Sequence, residues 1–236
     1  ELAAAAEPVA AEPAAAEAAN ATGPGVLAAL CQELGALLVH VSTDYVFEGT
    51  GTQPYTETSP TGPRSVYGRT KLEGERRVLA AQPGALVVRT AWVFGPGRNF
   101  VRTILEAAAR AQNGDGPALR VVDDQRGSPT YAGDLADGIV GLVDAGASGI
   151  FHLANTGVAS WWDLARAAVD IWGHPALPIE RVRTEEFPRP APRPAWSVLD
   201  TSKASRLGVR LRAWREGLRG YLDSDVSPLR ELGASW

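Results

Sequence analysis

The chain of 236 residues is poor in several residue types. It contains no methionine and a single cysteine, Cys31, and only two of its 23 basic residues are lysines. One cysteine excludes a framework of internal disulfides and is typical of a reducing compartment, so we expect a cytoplasmic protein. Because a complete translation product starts with methionine, we also expect the sequence to be a fragment or to have lost its start.

Long apolar runs and a strong positive charge are absent as well. No run approaches the ~18–20 apolar residues that a membrane-spanning helix needs. The net charge of −4 gives no basic surface of the kind that binds nucleic acid. The histidines, His40, His152 and His174, show no metal-ligand spacing to one another. A composition of 45% hydrophobic and 21% charged residues therefore indicates a globular protein, for which we expect no membrane, nucleic-acid or metal partner.

The stretch over 36–75 contains the residues with the clearest chemical meaning. An apolar run over 37–41 predicts a short buried parallel strand, which ends on Ser42, Thr43 and Asp44. Ligands bind at the carboxyl edge of parallel sheets, so these polar side chains are expected at a binding edge. Tyr67 and Lys71 lie four residues apart in an amphipathic segment, which predicts that both occupy one face of a helix.

A hydroxyl group at a strand end and a Tyr–Lys pair are what the reduction of a carbonyl group needs. Tyr67 would donate the proton, and the ammonium group of Lys71 would lower the pKa of the phenol from its usual value near ~10. Thr43 would donate a hydrogen bond to the carbonyl oxygen as negative charge develops there. The alternative is an ordinary pair on a helix surface, but the scarcity of lysine favours the catalytic interpretation.

A glycine pattern near the start of the chain imitates a cofactor motif. Residues 23–28 fit the dinucleotide pattern G-x-G-x-x-A, which binds pyrophosphate only in the turn after a strand. Here an alanine-rich segment from about Ala14 precedes it, so we interpret it as part of a helix in which Leu27, Leu30 and Leu34 recur at helical spacing. No other glycine-rich phosphate loop is present. We therefore expect roughly 60 residues of a cofactor-binding half, or two βαβ units, to be absent.

The rest of the chain alternates strand and helix patterns, which is typical of an α/β fold with a doubly wound parallel sheet. Strands are predicted over 85–92, 119–123 and 149–155, and helices over 101–112, 134–144, 214–221 and a segment that Ser160 caps. Two domains are predicted: an incomplete catalytic domain over 1–155, with low-complexity sequence over 1–13, and a region over 156–236 that is mainly a small substrate-binding lobe with a C-terminal helix.

Two further groups of residues have competing interpretations. Trp161, at the start of the helix capped by Ser160, is expected in the core rather than at a ligand. Asp123, Asp124 and Gln125 are expected to serve a turn rather than a metal ion.

A series of motifs between about Pro13 and Tyr221 resembles a known family, the dTDP-4-dehydrorhamnose reductases, which are extended short-chain dehydrogenases/reductases. The motifs are Ser42-Thr-Asp-Tyr-Val-Phe47, Pro54-Tyr55-x-Glu57, Val66-Tyr-Gly-x-Thr-Lys-x-x-Gly-Glu75, Val88-Arg-Thr-Ala-Trp-Val-Phe-Gly95, Val121-Val-Asp-Asp-Gln-x-Gly-Ser-Pro-Thr130 and Arg193-Pro-x-x-Ser197-x-Leu199-Asp200. The resemblance implies a Rossmann-like fold and the reduction of the C4 carbonyl of dTDP-4-dehydro-L-rhamnose with NADPH or NADH. It also implies a nucleotide-sugar substrate as partner and allows a homodimer.

The resemblance assigns roles to individual residues. Thr43, Tyr67 and Lys71 match the catalytic triad, and Ser42, Tyr67 and Lys71 are expected to bind the cofactor. Thr43, Tyr45, Trp92 and Arg193 are expected to bind the substrate. For Arg193, within the proline-rich residues 187–194, two interpretations remain: an extended linker or a clamp on the substrate diphosphate.

Other functions compete with the reductase. Sugar dehydratases and epimerases share the Tyr and Lys, but dehydratases of this superfamily typically carry Thr-Asp-Glu where this chain has Thr43-Asp44-Tyr45. The regulatory β-subunit of methionine adenosyltransferase resembles the same reductases and acts without catalysis. An inactive truncated reductase is the third alternative.

The resemblance also predicts where the strand over 37–41 lies in the sheet. In the order 3-2-1-4-5-6 it is the fourth strand and pairs with the first, which we expect to be absent. Its outer edge would then carry unpaired backbone groups, which promote association with other chains. We expect residues 1–236 alone to bind NADPH negligibly, to reduce nothing measurable, and to be poorly soluble or to associate through this edge.

Overall fold

The computed structural model describes residues 13–187 and 193–232 and has an α/β fold. The predictions for residues 1–12 and for the proline-rich residues 188–192 lie outside the described residues. In chain order the elements are α1 (Pro13–Glu17), α2 (Gly23–Leu34), β1 (Val39–Thr43), α3 (Val66–Ala81), β2 (Leu86–Thr90), β3 (Val93–Phe94), α4 (Phe100–Gln112), β4 (Leu119–Val122), β5 (Arg126–Gly127), β6 (Thr130–Tyr131), α5 (Ala132–Asp144), β7 (Gly149–His152), β8 (Ala159–Ser160), α6 (Trp161–Ile171), β9 (Ile179–Val182), α7 (Ser202–Ser205) and α8 (Trp214–Leu222).

The central sheet contains three parallel strands in the order β1-β2-β7. All five residues of β2, the middle strand, are buried. Strand β1 begins two residues later than predicted, and its Val41 is 42% exposed because β2 is its only neighbour among the described strands. The predicted burial of this strand is therefore wrong at Val41. In the pairing of β1 with β2, Ser42 lies beside Arg89 and Thr43 beside Thr90, so the two carboxyl ends meet at one edge.

The helix predicted from about Ala14 is confirmed, with a π-helical turn over Ala18–Thr22 between α1 and α2. The glycine pattern over 23–28 lies inside α2 and does not follow a strand. Leu27, Leu30 and Leu34 are exposed by 54%, 48% and 80%, although their spacing is that of an apolar helix face. Small residues of α2 lie against α3 instead: Ala28 is fully buried, and a Cβ atom at residue 25 would lie 3.1 Å from the Cβ atom of Arg77.

The other predicted helices and strands are confirmed to within a few residues. The apolar face of α4 joins the largest core cluster, together with residues of α6 and α8. The sequence did not predict β9, which pairs in parallel with β4, nor the two-residue pairs β3–β6 and β5–β8. Two of the four residues of β9 are charged, which hides the strand pattern. The domain boundary near residue 155 stays a prediction. Over 13–187 and 193–232, no helix is both long enough and apolar enough to cross a membrane.

The close packing of α3 on the first helices gives a testable prediction. A Cβ atom at Gly74 would lie 2.0 Å from the backbone oxygen of Asn20, so Gly74→Ala must push α3 away from the π-helical turn. We expect this variant to lower the free energy of unfolding by about 1–3 kcal/mol, as overpacking does. Urea denaturation measures the change.

The matched control is Gly84→Ala, because no described atom lies within 4 Å of a Cβ atom there. The control should be neutral or more stable by about 0.4–1 kcal/mol, since alanine restricts the unfolded chain. Equal stability losses in the two variants would contradict the tight contact.

Candidate active site

A cleft of about 420 Å³ opens at the carboxyl ends of β1 and β2. It brings together all seven residues to which the sequence assigned a site role: Ser42, Thr43, Tyr45, Tyr67, Lys71, Trp92 and Arg193. These residues come from two strand ends, the first turns of α3, and a loop more than 100 positions further along the chain.

The N-terminus of α3 explains how Tyr67 and Lys71 reach the cleft. The Ser65 side chain caps the helix by accepting a hydrogen bond from the backbone N–H of Gly68 at 3.0 Å. A Cβ atom at Gly68 would lie 2.2 Å from the backbone oxygen of Tyr45, so a larger residue there would separate the helix from the 3-10 turn that follows β1. The rings of Tyr45 and Tyr67 consequently lie edge to face, 5.9 Å between centroids.

Lys71 and Tyr67 have an electrostatic environment different from the expected one. Nζ of Lys71 donates a hydrogen bond to the backbone oxygen of Val41 at 2.6 Å. Burial lowers the pKa of Lys71, and the charge of Glu75 opposes this shift. The pKa of Tyr67 is raised, mainly by burial, while interaction with the Thr43 side chain opposes the shift and the charge of Asp44 adds to it. The expected net lowering of the pKa of Tyr67 is wrong for this arrangement, because burial disfavours the phenolate more than the surrounding groups stabilise it.

The hydroxyl group of Thr43 is already hydrogen-bonded. It accepts a hydrogen bond from the backbone N–H of Tyr45 at 3.2 Å and donates one to Oδ1 of Asp44 at 3.0 Å. Asp44 is only 3% exposed, and burial raises its pKa to about 6, although hydrogen bonds with Ser197 and Thr43 oppose the shift. Thr43 must therefore turn its proton away from Asp44 before it can donate to a substrate oxygen. The sequence placed Asp44 at the strand end but gave it no role in the site.

Aromatic side chains form one wall of the cleft. Trp92 stacks on Trp161 with 3.7 Å between ring centroids and 6° between ring planes, and Phe100 packs on Trp161. Trp92 has a φ of 48°, the only positive φ of a non-glycine residue among the described residues. A Cβ atom at Gly127 would lie 2.3 Å from the indole of Trp92, so the indole needs a glycine there.

The structure also brings residues into the cleft to which the sequence gave no site role. Trp161 packs against the largest core cluster, as predicted, and it also lines the cleft. Its Nε1 donates to Oε1 of Gln125 at 3.0 Å, which fixes the ring beside Trp92. Arg98 and Asn99 also line the cleft and had no predicted role, and Asn99 caps α4 by accepting a hydrogen bond from the backbone N–H of Arg102 at 3.1 Å.

The remaining polar candidates have structural partners. Asp124 accepts hydrogen bonds from Thr184, and Asp123 from Ser160 and Arg181, so both carboxylates bind partners that are distant in sequence and not partners within the predicted turn. Among the residues that the structure describes, no three His, Cys, Asp or Glu side chains are grouped so that they could hold a metal ion. Burial, and to a lesser degree the charge of Lys71, lowers the pKa of His40 to about 4, so this ring is neutral at pH 7.

Comparison with known proteins identifies the family of this chain. Residues 2–226 match the family described as RmlD substrate binding domain. The chain belongs to this family.

Among the proteins similar to this chain are named enzymes and solved structures. A dTDP-4-dehydrorhamnose reductase of Mycolicibacterium smegmatis is 48% identical over 205 residues, which are 85% of this chain and 61% of that protein. A solved structure of a dTDP-4-dehydrorhamnose reductase from Clostridium acetobutylicum superposes with a TM-score of 0.80 at 41% identity, covering 86% of this chain and 71% of that one. The Bacillus anthracis reductase, solved in complex with NADP, gives a TM-score of 0.80 at 34% identity with the same coverage. The predicted resemblance and the Rossmann-like α/β fold are therefore confirmed, while the chain spans less than two thirds of the M. smegmatis relative's length.

The raised pKa of Asp44 gives a prediction about stability. The folded protein keeps the Asp44 proton up to about pH 6, whereas the unfolded chain releases it near the ordinary value of 3.8. The folded state therefore binds more protons between these values, and this group reduces stability as the pH rises from about 4 to about 6. The Asp44→Asn variant has no carboxyl group to titrate at this position. The difference in unfolding free energy, variant minus wild type, should therefore rise by about 2–3 kcal/mol from pH 4 to pH 7.

Urea denaturation at several pH values measures this difference. The control is Asp225→Asn, whose side chain is 95% exposed in an ion pair with Arg230 and should show little pH dependence relative to wild type. An Asp44→Asn difference that does not change with pH would show that the carboxyl group titrates normally.

Proposed function

We propose that this chain carries the substrate cleft and the acid–base residues of an NAD(P)H-dependent reductase. Its reaction is the reduction of the C4 carbonyl of dTDP-4-dehydro-L-rhamnose to dTDP-L-rhamnose. The observation that carries the proposal is the convergence of Thr43, Tyr67 and Lys71 in one cleft beside Trp92. The 48% identity with the M. smegmatis reductase supports the choice of substrate.

The phenol of Tyr67 serves as the proton donor. Because burial raises its pKa, it stays protonated at pH 7, which is the form that reduction consumes. The Thr43 hydroxyl group donates to the substrate oxygen once it has rotated away from Asp44. This rotation is easiest near or below pH 6, where Asp44 is protonated and accepts the hydrogen bond less strongly. The Lys71 ammonium, one helical turn from Tyr67, favours the phenolate that remains after proton transfer.

Tyr67 and Lys71 also fit the nicotinamide end of the cofactor. Bound NAD(P)H would supply the hydride for C4 of the sugar. Nζ of Lys71, now bonded to a backbone oxygen, has further hydrogens for ribose hydroxyl groups. The hydroxyl group of Ser42 donates to Glu75, so Ser42 could only accept a hydrogen bond from the cofactor. The glycine pattern over 23–28 lies inside α2 rather than in a turn after a strand, so it does not form the usual cradle for the pyrophosphate.

The aromatic wall and an arginine suit a nucleotide sugar. Trp92, backed by Trp161, presents an apolar face on which a deoxysugar ring can pack. Arg193 lines the same cleft and provides the charge for a diphosphate. The cytoplasmic location and the homodimer stay predictions.

One observation favours a second candidate, a binding role without catalysis. Nζ of Lys71 is hydrogen-bonded to the backbone oxygen of Val41 on β1 at 2.6 Å, so the lysine already has a partner within the fold. A regulatory subunit related to these reductases, or an inactive reductase, would retain the sugar-nucleotide cleft with this arrangement. Ligand binding and turnover must therefore be measured separately.

The binding test uses the chain itself. We expect dTDP-L-rhamnose to bind and to change the tryptophan fluorescence, because Trp92 and Trp161 line the cleft. Trp92→Phe should lose most of this change and weaken the affinity measured by calorimetry. Trp172→Phe is the control, since Trp172 lies at the end of α6 beside His174 and is not among the residues that line the cleft. The absence of measurable binding in the wild-type chain would overturn the assignment of the cleft.

The turnover test places the chain in a longer relative. The matched region of the M. smegmatis reductase is replaced by this chain, and NADPH oxidation is followed with dTDP-4-dehydro-L-rhamnose. Tyr67→Phe should lower kcat by at least ~10², the effect of losing an acid–base group. Tyr131→Phe, outside the residues that line the cleft, should leave kcat within about twofold. Sugar binding without NADPH oxidation in this chimera would favour the non-catalytic role.

A further inference from the structure

A buried ion pair lies behind the cleft. The side chains of Glu75 and Arg89 are 2% and 3% exposed. Nε and Nη2 of Arg89 donate to the two carboxylate oxygens of Glu75 at 2.9 and 2.7 Å. The hydroxyl group of Ser42 donates to Oε1 of the same carboxylate at 2.5 Å. One carboxylate therefore accepts three hydrogen bonds in the interior.

Two of these residues lie on α3 and β1, the elements that carry the predicted catalytic groups, and the third lies on β2, the neighbouring strand. Glu75 lies on α3 one turn after Lys71. Ser42 lies on β1 between Val41, whose backbone oxygen binds Lys71, and Thr43. Arg89 lies on β2 directly beside Ser42 in the strand pairing. The carboxylate thus joins a helix to two strand ends at the edge where the cleft opens.

Stability alone does not explain a charged pair at this place. Removing two charges from water costs several kcal/mol for each ion, and apolar residues of similar volume are often equally or more stabilising. What the pair provides is a fixed geometry, because the planar guanidinium group accepts only a narrow range of positions for both oxygens. The guanidinium also lies over the ring of Phe47 at 5.1 Å, which further limits its position.

We propose that Glu75 is a positioning residue of the cleft, which fixes α3 against the ends of β1 and β2 through Arg89 and Ser42 and places a negative charge one helical turn from Lys71. The proposal rests on the function proposed above in one respect, because that function gives Lys71 its part in the reaction. A mere structural pair would hold the same elements together without affecting the charge of Lys71.

The groups around Lys71 identify Glu75 as the source of this electrostatic effect. His40 on β1 and Tyr67 on α3 are both neutral at pH 7, since burial lowers the pKa of the first to about 4 and raises that of the second. Burial lowers the pKa of Lys71, and the negative charge of Glu75 is what opposes this shift. Arg89 in turn donates two hydrogen bonds to the Glu75 carboxylate.

The scarcity of lysine makes a direct experiment possible. Lys71 and Lys203 are the only lysines of the sequence, and Lys203 donates to the backbone oxygen of Ile150 on β7. Brief labelling with acetic anhydride over a series of pH values, with both lysine peptides quantified by mass spectrometry, gives a labelling midpoint for each amine. Lys203 serves as the internal reference, and the measurement needs neither substrate nor cofactor.

The variants separate charge from structure. We expect Glu75→Gln to move the labelling midpoint of Lys71 to lower pH while that of Lys203 stays unchanged. The double variant Glu75→Gln with Arg89→Met should shift it in the same direction, and it should fold because both charges leave together. Arg89→Met alone should not lower the midpoint. Glu73→Gln, on the same helix but 37% exposed in an ion pair with Arg77, should leave it unchanged.

The remaining outcomes contradict the proposal. An unchanged Lys71 midpoint in the double variant, with a native circular dichroism spectrum, would overturn it. A shift of the Lys71 midpoint of equal size in Glu73→Gln would also overturn it. Failure of the double variant to fold would also overturn it, since the pair would then be a requirement of folding rather than a feature of the cleft. The proposed function can fail in the binding and turnover tests without affecting any of these results.

Discussion

The close contact of α3 with the edge of the central sheet is the constraint on which the site depends. Glycines at 68 and 74 remove the side chains that would hold the helix away from the turn after β1 and from the preceding helices. Once the helix is close, the Glu75 carboxylate can reach both Ser42 on β1 and Arg89 on β2. Backbone sterics thus set the distance, and a buried ion pair then fixes the register.

The opposite wall of the cleft depends on a second set of distant contacts. Trp92 adopts a left-handed backbone conformation, which costs of order 1–3 kcal/mol for a residue with a side chain. The stack on Trp161 and the glycine at 127 hold the indole in place. Strands β5 and β8, which pair with each other, bring these two partners to the end of β2. The strain at Trp92 is therefore maintained by the part of the chain that follows the central strands.

Burial determines the protonation of the groups around the cleft more than their mutual charges do. Tyr67 has a raised pKa, Asp44 titrates near 6, and His40 is neutral, and in each case burial is the largest cause. Such an interior favours neutral proton donors at pH 7. Burial also lowers the pKa of Lys71, and the charge of Glu75, one helical turn away, opposes this shift.

Local sequence determined the elements and most of the site. The spacing of Tyr67 and Lys71 with Ser65 at the helix cap, and the apolar run before Ser42 and Thr43, are signals within one helix or strand, so they could be read without the fold. Tertiary structure alone decided features that depend on distant neighbours. The leucines of α2 lie outside because small residues approach α3, and β9 pairs with β4 across almost 60 residues. Trp161 reaches the cleft because Trp92 offers a stacking partner. The direction of the Tyr67 pKa shift follows from how deeply the ring is buried, and no spacing in the sequence encodes burial.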